Sequence, residues 1–258
     1  VKIGVFDSGV GGVTVLAELR REFGAEHFVY LGDTAHVPYG AKSPSQVRKL
    51  SADCAQTLRQ LGVEVVVVAC NTASSLALPE IQAACGPEVR VVGVVIPGVR
   101  AALEAHQQLA DPAAPVLVLA TRATVRSGAY RKKLEALQLN VIEQACPLLV
   151  PMIEEGWTDH PVLHQTIEEY VKPHRMAYSS GVALLGCTHY PWIQLAFEKA
   201  LPGWQVVNSA AAVAAHLRQH EAIPQSTGPG VVDWLFTDPE AIPAFVSNQI
   251  GIHQRGKS

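Results

Sequence analysis

Two cysteines stand out because each closes an apolar run and is followed at once by hydroxyl or amide side chains. They are Cys70 in the stretch 65–75, VVVVACNTASS, and Cys187 in the stretch 181–191, GVALLGCTHYP. A buried parallel strand that ends in this way delivers a side chain to the crevice where α/β proteins bind ligands. Inverting a carbon by proton transfer needs a base on one face to take the proton and an acid on the other face to return one. Two thiols of matched pKa serve in both directions. Cys70 falls where a strand passes into a helix, so the helix dipole is expected to lower its pKa below the ordinary value of roughly 8.5. An inert buried thiol is the plainer alternative, and it has no use for the donors Asn71 and Thr72 beside it. Asp7 beside Cys70, and His189 with Glu154 near Cys187, are the candidates to hold or orient protons.

Such side chains need strand ends to carry them. Strands are predicted at 1–6, 27–31, 63–69, 89–95, 116–120, 139–145, 182–185, 204–207 and 231–236, with helical patterns between most of them. That alternation indicates an α/β fold of mainly parallel sheets flanked by helices. The segments VFDSGVGG and VVVACNTASS correspond loosely to LVLATRATVRS and VALLGCTHYP, so the chain reads as two similar halves. A cleft between them would be lined by strand ends from both, each half contributing one cysteine.

The loops after the strands carry the polar residues. The turn 7–12, DSGVGG, opens a helix and favours a carboxylate or phosphate, although Thr14 stands where a dinucleotide fingerprint has its third glycine. In the loop 32–40, GDTAHVPYG, Asp33 either caps a turn or faces a ligand. Thr121 and Thr124, three apart at a helix start, can turn both hydroxyls toward one anion. The helix 43–61 is expected to bury Leu50, Cys54, Leu58 and Leu61, the helix after Cys70 to run to about 84, and that after Thr121 to about 137. Pro97-Gly98 is the first place the chain could hinge, and 227–230 is a loop. Of Glu154 and Glu155 at most one faces the site, and Glu154 is chosen.

Composition narrows the classes. With 258 residues, 48% hydrophobic and 17% charged, the chain can build sizeable cores. A net charge of −3 without a basic block gives no expectation of nucleic-acid binding. No apolar run approaches membrane-spanning length, so no membrane partner and a cytoplasmic location are expected. The five cysteines, an odd number without CxxC spacing, disfavour a disulfide framework and a zinc ribbon. Cys54, Cys85 and Cys146 are read as structural. His216 and His220 lack the Glu and third ligand of a zinc-protease motif, so no metal site is expected. Apart from Lys42, no lysine lies in the polar strand-end loops, which leaves a pyridoxal Schiff base without a home, and no cofactor is expected.

FDSGVGGVTVL, GDTAHVPYG, ACNTAS, ATRATVRSGAY and LGCTHYP, in this order and over nearly the whole chain, resemble the glutamate racemases of the aspartate/glutamate racemase superfamily. The resemblance implies cofactor-independent, two-base interconversion of L- and D-glutamate, supplying D-glutamate to bacterial peptidoglycan. It makes Cys70 and Cys187 the catalytic acid/bases, with Asp7 and His189 assisting. It places Asp7, Ser8, Tyr39, Gly40, Asn71, Thr72, Thr121, Thr124 and Thr188 around the substrate, and Asp33 and Glu154 close by. It further implies two domains, 1–96 with 208–258 and 97–207, an active site between them, and a homodimer. Ala120 stands where the family usually has Gly, and Asn208 where it commonly has Asp. A racemase of aspartate or another amino acid, and a metal-binding or non-catalytic binding protein, are the rival readings.

Overall fold

The structure, a computed structural model, describes residues 1–220, 223 and 230–251, so positions 227–229 of the predicted loop lie outside the described residues. The first unit alternates β1 (Lys2–Asp7), α1 (Val13–Glu22), β2 (His27–Gly32), α2 (Pro44–Gln60), β3 (Val65–Val68), α3 (Asn71–Leu76), α4 (Leu78–Cys85) and β4 (Arg90–Gly93). Next come α5 (Val95–Gln107), β5 (Val116–Ala120), α6 (Arg122–Ser127), α7 (Ala129–Glu135), β6 (Val141–Ala145), α8 (Leu149–Glu154), α9 (Pro161–Ala177), β7 (Gly181–Gly186), α10 (Gln194–Ala200) and β8 (Trp204–Asn208). Helix α11 (Ser209–His220), β9 (Val231–Phe236) and α12 (Ala244–Ile250) follow.

The strands form two parallel sheets, ordered β4-β3-β1-β2-β9 and β6-β5-β7-β8. Matching β1 to β5, β2 to β6, β3 to β7 and β4 to β8 turns one order into the other. The loose sequence echo is therefore a repeat of topology, and Cys70 after β3 and Cys187 after β7 occupy equivalent strand ends.

The inner strands β1, β2, β3, β5 and β7 are buried on both faces, which explains why they read as apolar runs without alternation, while the edge strands β4, β6, β8 and β9 are only partly buried. Ile3, Val5, Val65 and Val67 pack with α1 and α11 on one face of the first sheet, while Phe6, Val66 and Val68 pack with α2 and α4 on the other. In the second sheet Leu117, Leu119, Ala183 and Leu185 face α8, α9 and α10, and Val116, Val118, Val182 and Leu184 face α5 and α7.

Several helix expectations are corrected. Ser43 and Gln46 form a capping box ahead of Pro44, and α2 buries Val47, Ser51, Cys54, Ala55 and Leu58, but Leu61 lies past its end and is exposed. The helix after Cys70 stops at Ala77 and restarts as α4, because Pro79 has no N–H to continue the ladder. The helix after Thr121 breaks at Gly128, whose φ of 62° lies in the left-handed region. Pro97-Gly98 lies inside α5 rather than in a loop, and a Cβ on Gly98 would meet the Tyr130 hydroxyl oxygen at 3.2 Å. Cys54 and Cys85 are buried core residues. Among the described residues, no helix is long and apolar enough to cross a membrane.

Leu119 is fully buried and Leu195 is 71% exposed, so the same truncation separates core from surface. Leu119→Ala should cost about 2–5 kcal/mol and Leu195→Ala less than about 0.5 kcal/mol, read from urea-unfolding midpoints.

Candidate active site

Because the sheets are parallel, the polar segments after β1, β2, β3, β5, β6 and β7 leave the carboxyl ends of their strands, and they enclose a cavity of about 250 Å³. Ser8, Tyr39, Gly40, Cys70, Asn71 and Thr72 line it from the first sheet, and Thr121, Glu154, Cys187, Thr188 and His189 from the second. The two cysteines, each 5% exposed, thus face one space.

Each thiol has its own surroundings. Cys70 caps α3, accepting from the Ala73 N–H at 3.5 Å and donating to Ser8 Oγ at 3.4 Å. The expected lowering of its pKa is not what the structure gives. Burial, and then the nearby Asp7 charge, push the thiol up to about 12, and the contacts with Ser8 and Ala73 only partly offset this. A six-residue helix with one long N–H···S contact does not outweigh desolvation. Cys187 Sγ lies 3.9 Å from His189 Nδ1, and His189 Nε2 lies 2.9 Å from Glu154 Oε1. Burial disfavours the imidazolium, but Cys187 and Glu154 outweigh it and raise His189 to about 10. His189, its pKa raised, thus stands beside Cys187, and Asp7 lies near Cys70.

Asp7 is fully buried behind the cavity wall. One oxygen accepts from the Gly9 N–H at 2.9 Å and the other from the Thr188 hydroxyl at 3.3 Å. Burial raises its pKa against the pull of His189 and these donors. Thr188 is held in turn, its carbonyl accepting from the Thr14 hydroxyl at 2.8 Å. The predicted threonine pair gains a third member: Thr72 Oγ1 lies 3.0 Å from that of Thr121 and 3.3 Å from that of Thr124, joining the two sheets. Asn71 is locked by the Tyr130 hydroxyl, which donates to its Oδ1 at 2.5 Å, and by its own donation to Ser209 at 3.1 Å. Thr124 and Asp33 are buried and do not line the cavity; Asp33 accepts from the Tyr39 hydroxyl at 2.7 Å behind it. Burial, with Cys54 and Asp33 nearby, keeps the Tyr39 phenol protonated.

Sequence reasoning missed part of the wall. Val37, Pro38, Arg122, Pro147, Val150 and Pro151 line it, as does Cys146, which the sequence reading left as structural. Its signal was its place beside Pro147 at the end of β6, equivalent to the other strand ends. Ala120 is buried in β5, and Asn208 caps α11 through the Ala211 N–H at 3.0 Å; neither lines the cavity. Glu155 is exposed, whereas Glu154 reaches His189. Among the described residues, no group of three or more His, Cys, Asp and Glu side chains is arranged to hold a metal ion.

Two repeated α/β units bring their strand ends, with a pair of buried thiols, to one enclosed cavity, the arrangement of an α/β protein with its site at the carboxyl edges of parallel sheets. The profile of the Asp/Glu/hydantoin racemase family matches residues 3–217. A glutamate racemase of Aquifex pyrophilus is 40% identical over 92% of this chain and 89% of its own length. The crystal structure of the Campylobacter jejuni glutamate racemase superposes with a TM-score of 0.86 at 30% identity, covering 99% of this chain and 100% of that one. That of the Francisella tularensis glutamate racemase in complex with D-glutamate gives 0.84 at 28% identity, covering 98% and 95%. The chain belongs to the Asp/Glu/hydantoin racemase family and is an amino-acid racemase, an isomerase.

The pairing of His189 gives a signed pH dependence. Its folded value, about 10, is raised above the ordinary 6.5, so the stabilisation is fully present below about 6.5 and is lost as pH rises through about 10. Glu154→Gln should move the His189 ring titration, followed by NMR, downward. Gly11 gives a second expectation, because a Cβ there would lie 2.5 Å from His189 Nδ1 and also collide with Thr188 Oγ1. Gly11→Ala should displace both residues and lower kcat/KM about a hundredfold or more while circular dichroism still reports a folded protein.

Proposed function

We propose that the protein interconverts L- and D-glutamate without a cofactor, using Cys70 and Cys187 as acid/bases on opposite faces of the α-carbon. The observation that carries this reading is the placement of two buried thiols at equivalent strand ends facing one cavity. One thiolate takes the α-proton and becomes a thiol; the opposite thiol gives its proton to the resulting carbanion and becomes the thiolate. The two cysteines then stand ready for the reverse direction. A charge on Asp7 opposes a thiolate at Cys70, while His189, whose pKa is raised, stands beside Cys187 as a group able to hold or donate a proton. Ser8, Asn71, Thr72, Thr121 and Thr188 supply donors for the substrate carboxylates, and their hydrogen bonds strengthen as charge develops in a water-poor site.

Glutamate as the substrate is supported by the names of the relatives at about 40% identity. With it go the supply of D-glutamate to peptidoglycan, a cytoplasmic setting and a homodimer.

The test is to incubate each L-amino acid in D₂O without cofactor and to follow α-proton exchange by NMR and inversion by polarimetry. Glutamate should exchange and invert, and Cys70→Ser and Cys187→Ser should each lower kcat/KM by about a thousandfold or more. Inversion that persists with both cysteines replaced by Ala would sink the two-thiol mechanism. Inversion of aspartate in preference to glutamate would move the substrate and keep the chemistry.

A further inference from the structure

The buried carboxylate of Asp33 is tied to more than the site. One oxygen accepts from the Tyr39 hydroxyl, which fixes the residue that lines the cavity just before Gly40. The other accepts from the Thr237 hydroxyl at 2.8 Å, and His36 Nδ1 lies 2.8 Å from it. Thr237 follows β9, about two hundred residues further along the chain, and its contacts with this loop are several. Its N–H donates to the Gly32 carbonyl at 3.1 Å, and its hydroxyl oxygen accepts from the Ala35 N–H at 3.0 Å. Next to it, Thr34 and Asp238 bond reciprocally: the Thr34 hydroxyl donates to the Asp238 carbonyl at 2.6 Å, and the Asp238 N–H donates to Thr34 Oγ1 at 2.8 Å. The loop has little slack on its other side, where a Cβ on Gly40 would lie 2.7 Å from Thr121 Cβ.

We propose that Thr237 is a positioning residue for the reaction: from the end of β9 it orients Asp33, which holds Tyr39, and so sets the substrate affinity of the cavity wall 39–40. The proposal rests on the racemase reading of that cavity. A carboxylate that accepts from two hydroxyls has a defined direction for each, and removing the Thr237 donor leaves Asp33 Oδ1 to the exposed His36 alone and loosens the carboxylate's hold on Tyr39. Tyr39 hydrogen-bonds to Asp33 rather than to either thiol or to the groups that hold the thiols, so the loss falls on binding in ground and transition states alike and is read in KM.

Thr237→Val keeps the shape and removes the hydroxyl. Because Thr237 is itself exposed, water partly replaces the lost donor, and the expected rise in KM for glutamate is about fivefold, with kcat within about twofold. Thr237→Ser should restore the wild-type KM. In a Tyr39→Phe background, Thr237→Val should change KM by less than about twofold, since the path through the phenol is already cut. An unchanged KM in Thr237→Val, a Thr237→Ser variant as impaired as the valine one, or an undiminished effect in the Tyr39→Phe background would overturn the proposal. Hydrogen exchange read by mass spectrometry separates it from the racemase reading. If the wild type inverts no amino acid, faster exchange of residues 34–41 in Thr237→Val still upholds the positioning path, and unchanged exchange there refutes it.

Discussion

The Thr188 hydroxyl donates to the Asp7 carboxylate across the line where the carboxyl ends of two parallel sheets meet. Around this contact, Thr14 holds the Thr188 carbonyl, and Gly11 is bare enough to let Thr188 and His189 come against the first glycine turn. On the other side of the cavity the Thr72, Thr121 and Thr124 hydroxyls and the Gly40 backbone make the matching closure. At the cavity itself these are short-range polar and steric contacts, while elsewhere α5 packs on α11 and Trp192 meets Phe245 edge-on. At Gly11 and Gly40 a single added methyl group would collide with side chains of the second unit beside the cavity.

The electrostatics of the cavity follow from which residue each strand end delivers. Desolvation opposes a thiolate at Cys70, and the two cysteines have unlike neighbours. His189, held by Glu154 and raised in pKa, stands beside Cys187, while Asp7 lies near Cys70. In the proposed scheme an inversion by two thiols requires one proton between them at rest. The buried hydroxyls and the locked amide of Asn71 complete a wall whose donors are already oriented.

Much of this was legible in the sequence because parallel sheets covered on both faces leave a strong pattern. Runs such as VVVV at 65–68 and VLVLA at 116–120 announce fully buried strands, and the polar residues that follow them mark the ligand-binding edge. Helix lengths were less legible, because the breaks at Pro79 and Gly128 compete with a periodicity that continues through them. The direction of the Cys70 shift was misread for a related reason. The helix start was visible locally, whereas the desolvation that overrides it comes from residues brought from elsewhere in the chain.

The sequence by itself determined the strand and helix alternation, the internal repeat and the identity of the two strand-end cysteines, since each of these is written in residues close together along the chain. Tertiary structure decided what lies between and behind them: that Asp7 and Asp33 stand behind the cavity wall, that Cys146 stands in it, and that Thr237 reaches the loop of Tyr39. Those relations join residues up to about two hundred positions apart. No local pattern encodes them, because hydrogen bonds and desolvation depend on distance in space rather than on separation along the chain.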